Sequence, residues 1–300
     1  VTPTTTTTDQ APLRDAVAAS VLIVGLGLVG GSIARAARAA TPPARVTGAD
    51  RAAIGALARQ DGVVDDFVAI DDAAAVDAAI AAADIVVLAL PVLSTTAFLQ
   101  EHADALRGVI ATDTAASKRD VTTTAGRLGL SRFVGGHPMF PRAHGGLASS
   151  DGKLLEGARW FLCPDDAVDA APVDAAAFAR VRGFIAGLGA VPVEIGADEH
   201  DRDVALTSHV PHLLANVLAE AVLEAGAVDA AGASLREILR VAGAPIDVWG
   251  DTLQTNRTAI VAALDDVIGR LRGISDDLAD RDRVRELFAS GRALRERLHG

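Results

Sequence analysis

Tyrosine is missing from this chain, cysteine occurs once, and aromatic residues fill only 3% of its 300 positions. Each scarcity removes a class of chemistry. Without tyrosine no phenol can act as acid or base, and so few aromatics disfavour a surface on which nucleic-acid bases stack. A single thiol, Cys163, excludes an intrachain disulfide and fits a reducing cytoplasm; with no second thiol and no partnered histidine nearby, it reads as strand filling. Positive charge is also in short supply. A formal net charge of -11 opposes nucleic acid and anionic membrane surfaces as partners, so an anionic substrate would have to be met by local arginines. No apolar run reaches membrane-spanning length, and the first residues are threonines rather than a basic stretch followed by an apolar one. The expectation is a soluble, cytoplasmic protein.

What is present is apolar substance: half of the residues, enough for a sizeable core in one large or two ordinary domains. The organising stretch is Val21 to Ser32, where Val21-Leu22-Ile23-Val24 runs into Gly25-Leu26-Gly27-Leu28-Val29-Gly30-Gly31-Ser32 and an alanine-rich helical pattern. This reads as strand, glycine turn and helix start. Gly25 permits the turn, Gly27 lets the backbone approach a pyrophosphate, and Gly30 lets helix and strand pack closely. Leu28 and Val29 open the helix whose N-terminus offers free N–H groups to the anion. A second strand, Arg45 to Asp50, ends in an acid about twenty residues after the glycines, where a carboxylate accepts from ribose hydroxyls. Asp50 favours NAD over NADP because it repels a 2′-phosphate, although Arg51 stands next to it.

Strand and helix patterns then alternate, which predicts an α/β Rossmann-type doubly wound sheet. Helices are expected over Ala52 to Gln60, Asp72 to Ala82, Leu93 to Leu106 and Val173 to Leu188. Strands are expected over Val63 to Val68, Asp84 to Pro91, Val109 to Asp113, Phe133 to Gly135, Ala158 to Leu162 and Val191 to Ile195. Val1 to Ala19, opening on Thr4 to Thr8, has no periodic apolar face and reads as a disordered tail. Beyond Asp198 only helical patterns remain, at Glu199 to Ala225, Ser234 to Val241, Ile246 to Leu271 and Asp276 to Leu298. A domain boundary is therefore expected near Gly196, giving a dinucleotide-binding domain over 20–196 and a helical substrate and dimerisation domain over 197–300. The active site is expected in the cleft between them.

Three polar clusters stand out. Thr112-Asp113-Thr114-Ala115-Ala116-Ser117-Lys118 follows a buried strand and so lies at the cofactor edge. Gly135-Gly136-His137-Pro138 places an imidazole after close-approach glycines, where it can take the proton of a substrate hydroxyl as hydride leaves the same carbon. Ser208-His209-Val210-Pro211-His212 lies in the first long helix; its histidines lack a third ligand at suitable spacing, so no metal site is expected. Arg236 and Arg240 share one helix face and could bind a carboxylate bidentately.

Together these motifs resemble the prephenate and arogenate dehydrogenase family over nearly the whole stretch from Val21 to Asn256. The matching pieces are the glycine loop, Thr112-Asp113 with Ser117-Lys118, Phe133 to Met139, Ser208 to His212, and Arg240-Val241-Ala242 through Pro245, Trp249, Asp251 and Asn256. The resemblance implies a Rossmann-type domain, a helical domain forming a homodimer, and NAD-dependent oxidative decarboxylation of a small anionic cyclohexadienyl substrate. Prephenate would give 4-hydroxyphenylpyruvate, and arogenate would give tyrosine. It implies His137 as proton acceptor and Ser117 as its catalytic neighbour. It further implies Arg240 as carboxylate anchor, Ser208 and His212 as substrate contacts, and Gly25, Gly27, Leu28, Val29, Gly30, Asp50, Arg51, Pro91 and Asp113 as cofactor contacts.

The chain departs from the family pattern at Phe140-Pro141-Arg142-Ala143-His144-Gly145-Gly146, where a small Ala-Gly pair, a Ser or Thr and a Glu are usual, and at Ala231 to Leu235. That leaves open an analogue such as 4-amino-4-deoxyprephenate as substrate, and a dinucleotide-binding regulator that has lost catalysis. A β-hydroxyacid dehydrogenase would need a lysine in the helical half, and none follows Lys153.

Overall fold

A computed structural model describes residues 18–139, 145–164, 172–244 and 246–299. The stretches expected as a tail up to residue 17 and as the altered pocket entrance at Phe140 to His144 lie outside these. Ala18, placed in the expected tail, is buried in the core.

The chain runs β1 (Ser20–Val24), α1 (Leu28–Ala39), β2 (Arg45–Asp50), α2 (Ala52–Gln60), β3 (Asp66–Ala69), α3 (Ala73–Ala82), β4 (Ile85–Leu88), α4 (Val92–Glu101), α5 (Ala103–Leu106), β5 (Ile110–Asp113), α6 (Arg119–Arg127) and β6 (Phe133–Pro138). It continues with β7 (Arg159–Cys163), α7 (Ala175–Gly187), β8 (Val191–Glu194) and α8 (Ala197–Val204). The eight strands form one sheet in the order β3-β2-β1-β4-β5-β6-β7-β8. All neighbours are parallel except β6 and β7, which are antiparallel. The expected alternation stops there because the described part of the β6–β7 link holds only two 3-10 turns, Leu147–Ser149 and Gly152–Leu155. A parallel return needs a crossover, usually a helix.

Apolar runs fill both faces of the sheet. Val21 and Ile23 of β1 join Ile33, Ala34 and Ala37 of α1 and Val181, Phe184 and Ile185 of α7 in one core. Leu22 and Val24 join Val76 and Ile80 of α3, Leu99 of α4 and Val121 of α6 in the other. Successive side chains of a strand point to opposite faces, so a strand buried on both sides reads as a continuous apolar run.

Several boundaries differ from expectation. The helix expected over Leu93 to Leu106 breaks at His102, whose φ of -107° and ψ of 22° are not helical and whose Nδ1 lies 2.6 Å from Asp77 Oδ1. Helix α6 was not expected, since its run Val121-Thr122-Thr123-Thr124-Ala125 offers only Val121 and Ala125 to the core. The strand expected over Val63 to Val68 pairs later, as β3.

Helices α9 (Val210–Glu224), α10 (Ala233–Leu239), α11 (Ile246–Thr255), α12 (Arg257–Asp276) and α13 (Arg281–His299) complete the chain. The long helix expected from Glu199 is interrupted by a π-helical turn at Ala205–His209. Pro211 has no N–H to return to Thr207, so the ladder cannot run regularly through this point. Contacts divide the chain into a sheet unit, 1–204 with 243–256, and a helical unit, 205–242 with 257–300. Relative to the boundary read near Gly196, α8 and α11 pack with the sheet unit. A buried Asn256 explains part of this: its Nδ2 donates to the Asp201 carbonyl at 2.8 Å, and the expected helix from Ile246 to Leu271 is broken at this residue.

Candidate active site

Gly25 begins the turn after β1 with φ +93°, and its N–H donates to Ala49 O at 2.8 Å. A side chain there would strike the Ala89 carbonyl, and one at Gly30 would strike Gly25 O, so both glycines are fixed by packing of α1 on the sheet. Gly27 differs: a Cβ there would meet no protein atom within 4 Å. Its backbone borders open space at the N-terminus of α1, where Leu28, Val29 and Gly30 have no earlier helical turn to receive their N–H groups and no side chain caps them. This cradle fits the pyrophosphate of a dinucleotide. Asp50 ends β2 beside it, accepting from Leu26 N at 2.6 Å and Arg51 N at 2.6 Å, while the Arg51 side chain is exposed. Pro91 caps α4 at the end of β4 and is exposed.

Asp113, expected among the cofactor contacts, is buried instead. Its Oδ1 accepts from Gly136 N at 2.8 Å, and its Oδ2 accepts from Ala115 N at 2.9 Å and from Lys118 Nζ. Lys118 also donates to the Gly136 carbonyl, and both side chains are wholly buried. The pair therefore braces the ends of β5 and β6 against each other, and the carboxylate's lone pairs are engaged inside the protein. The glycines before His137 are required by the same crowding. A Cβ at Gly135 would press Thr122, and one at Gly136 would press Thr112 and Trp160.

His137 lies on β6 opposite Phe161 of β7. The strand registers place it at the carboxyl edge of the parallel strands, level with the glycine turn and three strand spacings away, roughly 14 Å. Its Nδ1 is 2.9 Å from Nε2 of His200, and Nδ1 of His200 is 2.8 Å from Asp201 Oδ1. His200 is fully buried, with its ring edge-on to both His137 and Phe161. Asp201 also accepts from Lys118 N at 2.7 Å and Arg119 N at 3.0 Å. Burial alone would raise the carboxyl pKa of Asp201, but the bond from His200 and the two backbone N–H groups outweigh it and hold the pKa below its ordinary value.

Ser117, next to Lys118 in the chain, is buried, its Oγ 2.8 Å from Thr255 Oγ1. The Thr255 hydroxyl donates to Asp251 O at 2.8 Å, so the shared proton comes from Ser117 and the serine oxygen keeps its acceptor character. Sequence reasoning missed His200, Asp201 and Thr255. The pair His200-Asp201 stood in plain view before Ser208, but without the fold nothing linked it to His137.

The sheet unit thus gathers the glycine cradle, Asp50, Ser117 and His137. The remaining expected residues belong to the helical unit. There, Ser208 is in the π-helical turn, the half-buried His212 is in the first turn of α9, and Arg240 is the exposed C-cap of α10. Among the described residues no cluster of three or more His, Cys, Asp or Glu could hold a metal ion. No described helix is long and apolar enough to cross a membrane. Cys163 is buried in β7.

A twisted α/β sheet with a dinucleotide cradle and an imidazole on the same edge defines a nucleotide-binding oxidoreductase architecture. The comparisons with known proteins narrow this. Residues 33–194 match the family model for the prephenate dehydrogenase nucleotide-binding domain, and residues 196–290 match that for its dimerization domain. The chain is 32% identical over 262 residues to a prephenate dehydrogenase of Bacillus subtilis, covering 83% of this chain and 67% of that protein. It is 28% identical over 288 residues to a prephenate dehydrogenase of Lactococcus lactis, covering 92% of this chain and 76% of the relative. A crystal structure of A. aeolicus prephenate dehydrogenase, in complex with hydroxyphenyl propionate and NAD+, shares the fold at 22% identity. Its TM-score is 0.83, over 93% of this chain and 97% of that one. This chain belongs to the prephenate dehydrogenase family.

Proposed function

We propose that the protein catalyses NAD-dependent oxidative decarboxylation of prephenate or arogenate, with hydride leaving the ring carbon that carries the hydroxyl. The observation that carries the reading is the placement of His137 on the same sheet edge as the Gly25 to Gly30 cradle. Bound in that cradle, a nicotinamide cofactor supplies the hydride acceptor. His137 accepts the hydroxyl proton as the carbonyl forms. Ser117, buried on the same unit, is assigned to hydrogen-bond that hydroxyl or the imidazole, on the family resemblance. Once the ring carbonyl exists, loss of the ring carboxylate as carbon dioxide yields the aromatic product, and the protein need supply only position and polarisation. Arg240 is assigned to a substrate carboxylate and Ser208 and His212 to the substrate's surroundings, on the family resemblance. Asp50 selects NAD over NADP, supported by its position beside the cradle.

The protein acts as a homodimer through its helical unit, in a reducing cytoplasm. The dimerization-domain match supports the first, as do the exposed Val217, Leu223, Leu271, Phe288 and Leu298 of α9, α12 and α13. The buried, single cysteine supports the second. The test mixes purified protein with NAD or NADP and with prephenate, arogenate or 4-amino-4-deoxyprephenate, following the absorbance of reduced nicotinamide. Turnover of prephenate or arogenate with NAD is expected. Turnover of the amino analogue alone would move the assignment to that substrate, and NAD binding without any turnover would leave a regulator.

A further inference from the structure

Two histidines and an aspartate stand in line through hydrogen bonds: His137, His200 and Asp201. Only the first is needed by the reaction as written above. The direction of each bond follows from chemistry. Asp201 is an ionised acceptor, held by the N–H groups of Lys118 and Arg119. His200 Nδ1 must therefore carry a proton and donate it. A single proton fits the 2.9 Å gap between His200 Nε2 and His137 Nδ1. A base acting through Nε2 of His137 needs its own proton on Nδ1, so His137 donates and His200 accepts. Every proton position along the line is then fixed by the one carboxylate at its end.

We propose that His200 and Asp201 are positioning residues for proton transfer. Asp201 sets the tautomer of His200, and His200 sets that of His137, so that Nε2 of His137 is the accepting atom and the imidazolium it becomes is stabilised by the buried charge. The assignment rests on the proton-acceptor role proposed for His137. Other charged groups lie near this line among the described residues. Lys118 and Asp113 pair with each other on β5 and the start of α6, and Arg119 meets Asp198 at 3.4 Å. Asp120 of α6 has its carboxyl pKa raised, by burial first and by the charge of Asp201 second. Arg180 and Arg182 are on α7, whose buried residues join the core on the opposite face of the sheet. Among the described residues, the ionised group hydrogen-bonded to His200 is Asp201.

The test uses the full-length protein with two readouts. Imidazole 15N NMR of the unliganded wild type, assigned with His137→Asn and His200→Phe, reads the tautomers without any substrate. Both rings are expected protonated on Nδ1, the minority form in free histidine, and a proton on Nε2 of neutral His137 overturns the proposal. In steady-state kinetics His200→Phe is expected to lower kcat on the order of 100-fold. KM and NAD affinity should stay within about twofold, and the acid limb of the kcat profile should move to lower pH. His200→Gln, whose amide oxygen can accept from His137 Nδ1, should recover much of that rate. A His200→Phe enzyme with wild-type kcat and an unmoved acid limb refutes the proposal. If no substrate turns over, the reading of the reaction fails by itself and the NMR result still decides the hydrogen-bond line.

Discussion

The sheet unit buries charged side chains in partnered groups, whereas the helical unit leaves many large apolar side chains exposed. Asp113, Lys118, His200, Asp201 and Ser117 are all buried, and each meets a named partner within the same unit. In the helical unit the buried residues include His209 as well as Ala205, Val210, Ala215 and Ile260, whereas Val217, Leu223, Leu271, Phe288 and Leu298 are exposed. The contrast shows where each unit finds its order. Buried charges survive only when hydrogen-bonded and paired, and the partners named here lie within the sheet unit itself. A surface rich in large apolar residues instead suits burial against another surface, in keeping with the dimerization domain that this part of the chain matches.

The sharpest way to break this comparison is to remove function from the sheet unit without touching its packing. His137→Asn is expected to lower kcat by about 10³-fold while NAD affinity, measured by calorimetry, stays within about twofold. An unchanged rate would remove the imidazole from the chemistry.

Next in size is the buried pair itself. Lys118→Met leaves Asp113 as an uncompensated charge and should destabilise the protein by about 3–5 kcal/mol in urea unfolding. The matching experiment on the helical unit is Arg270→Ala, which breaks an exposed pair with Asp266 at 2.7 Å and should leave the melting temperature unchanged. Equal effects at the two sites would erase the distinction drawn between the units.

The smallest effect expected in the sheet unit is seen on acidification. Because the folded-state pKa of Asp201 is lowered, its carboxylate contributes stability above the ordinary carboxylate range, and that contribution disappears as pH falls through the lowered value. Asp201→Asn should therefore be less stable than wild type near neutral pH, with the two unfolding curves converging in acid. A gap that stays constant with pH would mean that the charge is irrelevant and only the shape of the side chain matters.

Much of this was readable along the chain. The glycine turn, its helix and the acid at Asp50 are local features, and backbone chemistry alone dictates them. His137 was legible because Gly135 and Gly136 precede it at the end of an apolar strand. Other features were not. The brace formed by Asp113 and Lys118 looked like part of the cofactor edge, since residue type says nothing about which way a carboxylate turns. The breaks at His102 and Asn256 were hidden because each residue leaves its helix for a partner remote in sequence, Asp77 in one case and the carbonyl of Asp201 in the other.

By itself the sequence determined the strand and helix alternation, the glycine turn and the place of His137 at the end of an apolar strand, since these depend on periodicity and on neighbours a few residues apart. Only the tertiary structure decided that His200 and Asp201, more than sixty positions from His137, stand behind it. It also decided that Asp113 faces inward and that β7 runs against its neighbour β6. Those outcomes are set by which surfaces exclude water together, and a hydrogen bond that spans the fold leaves no periodic trace in the order of residues.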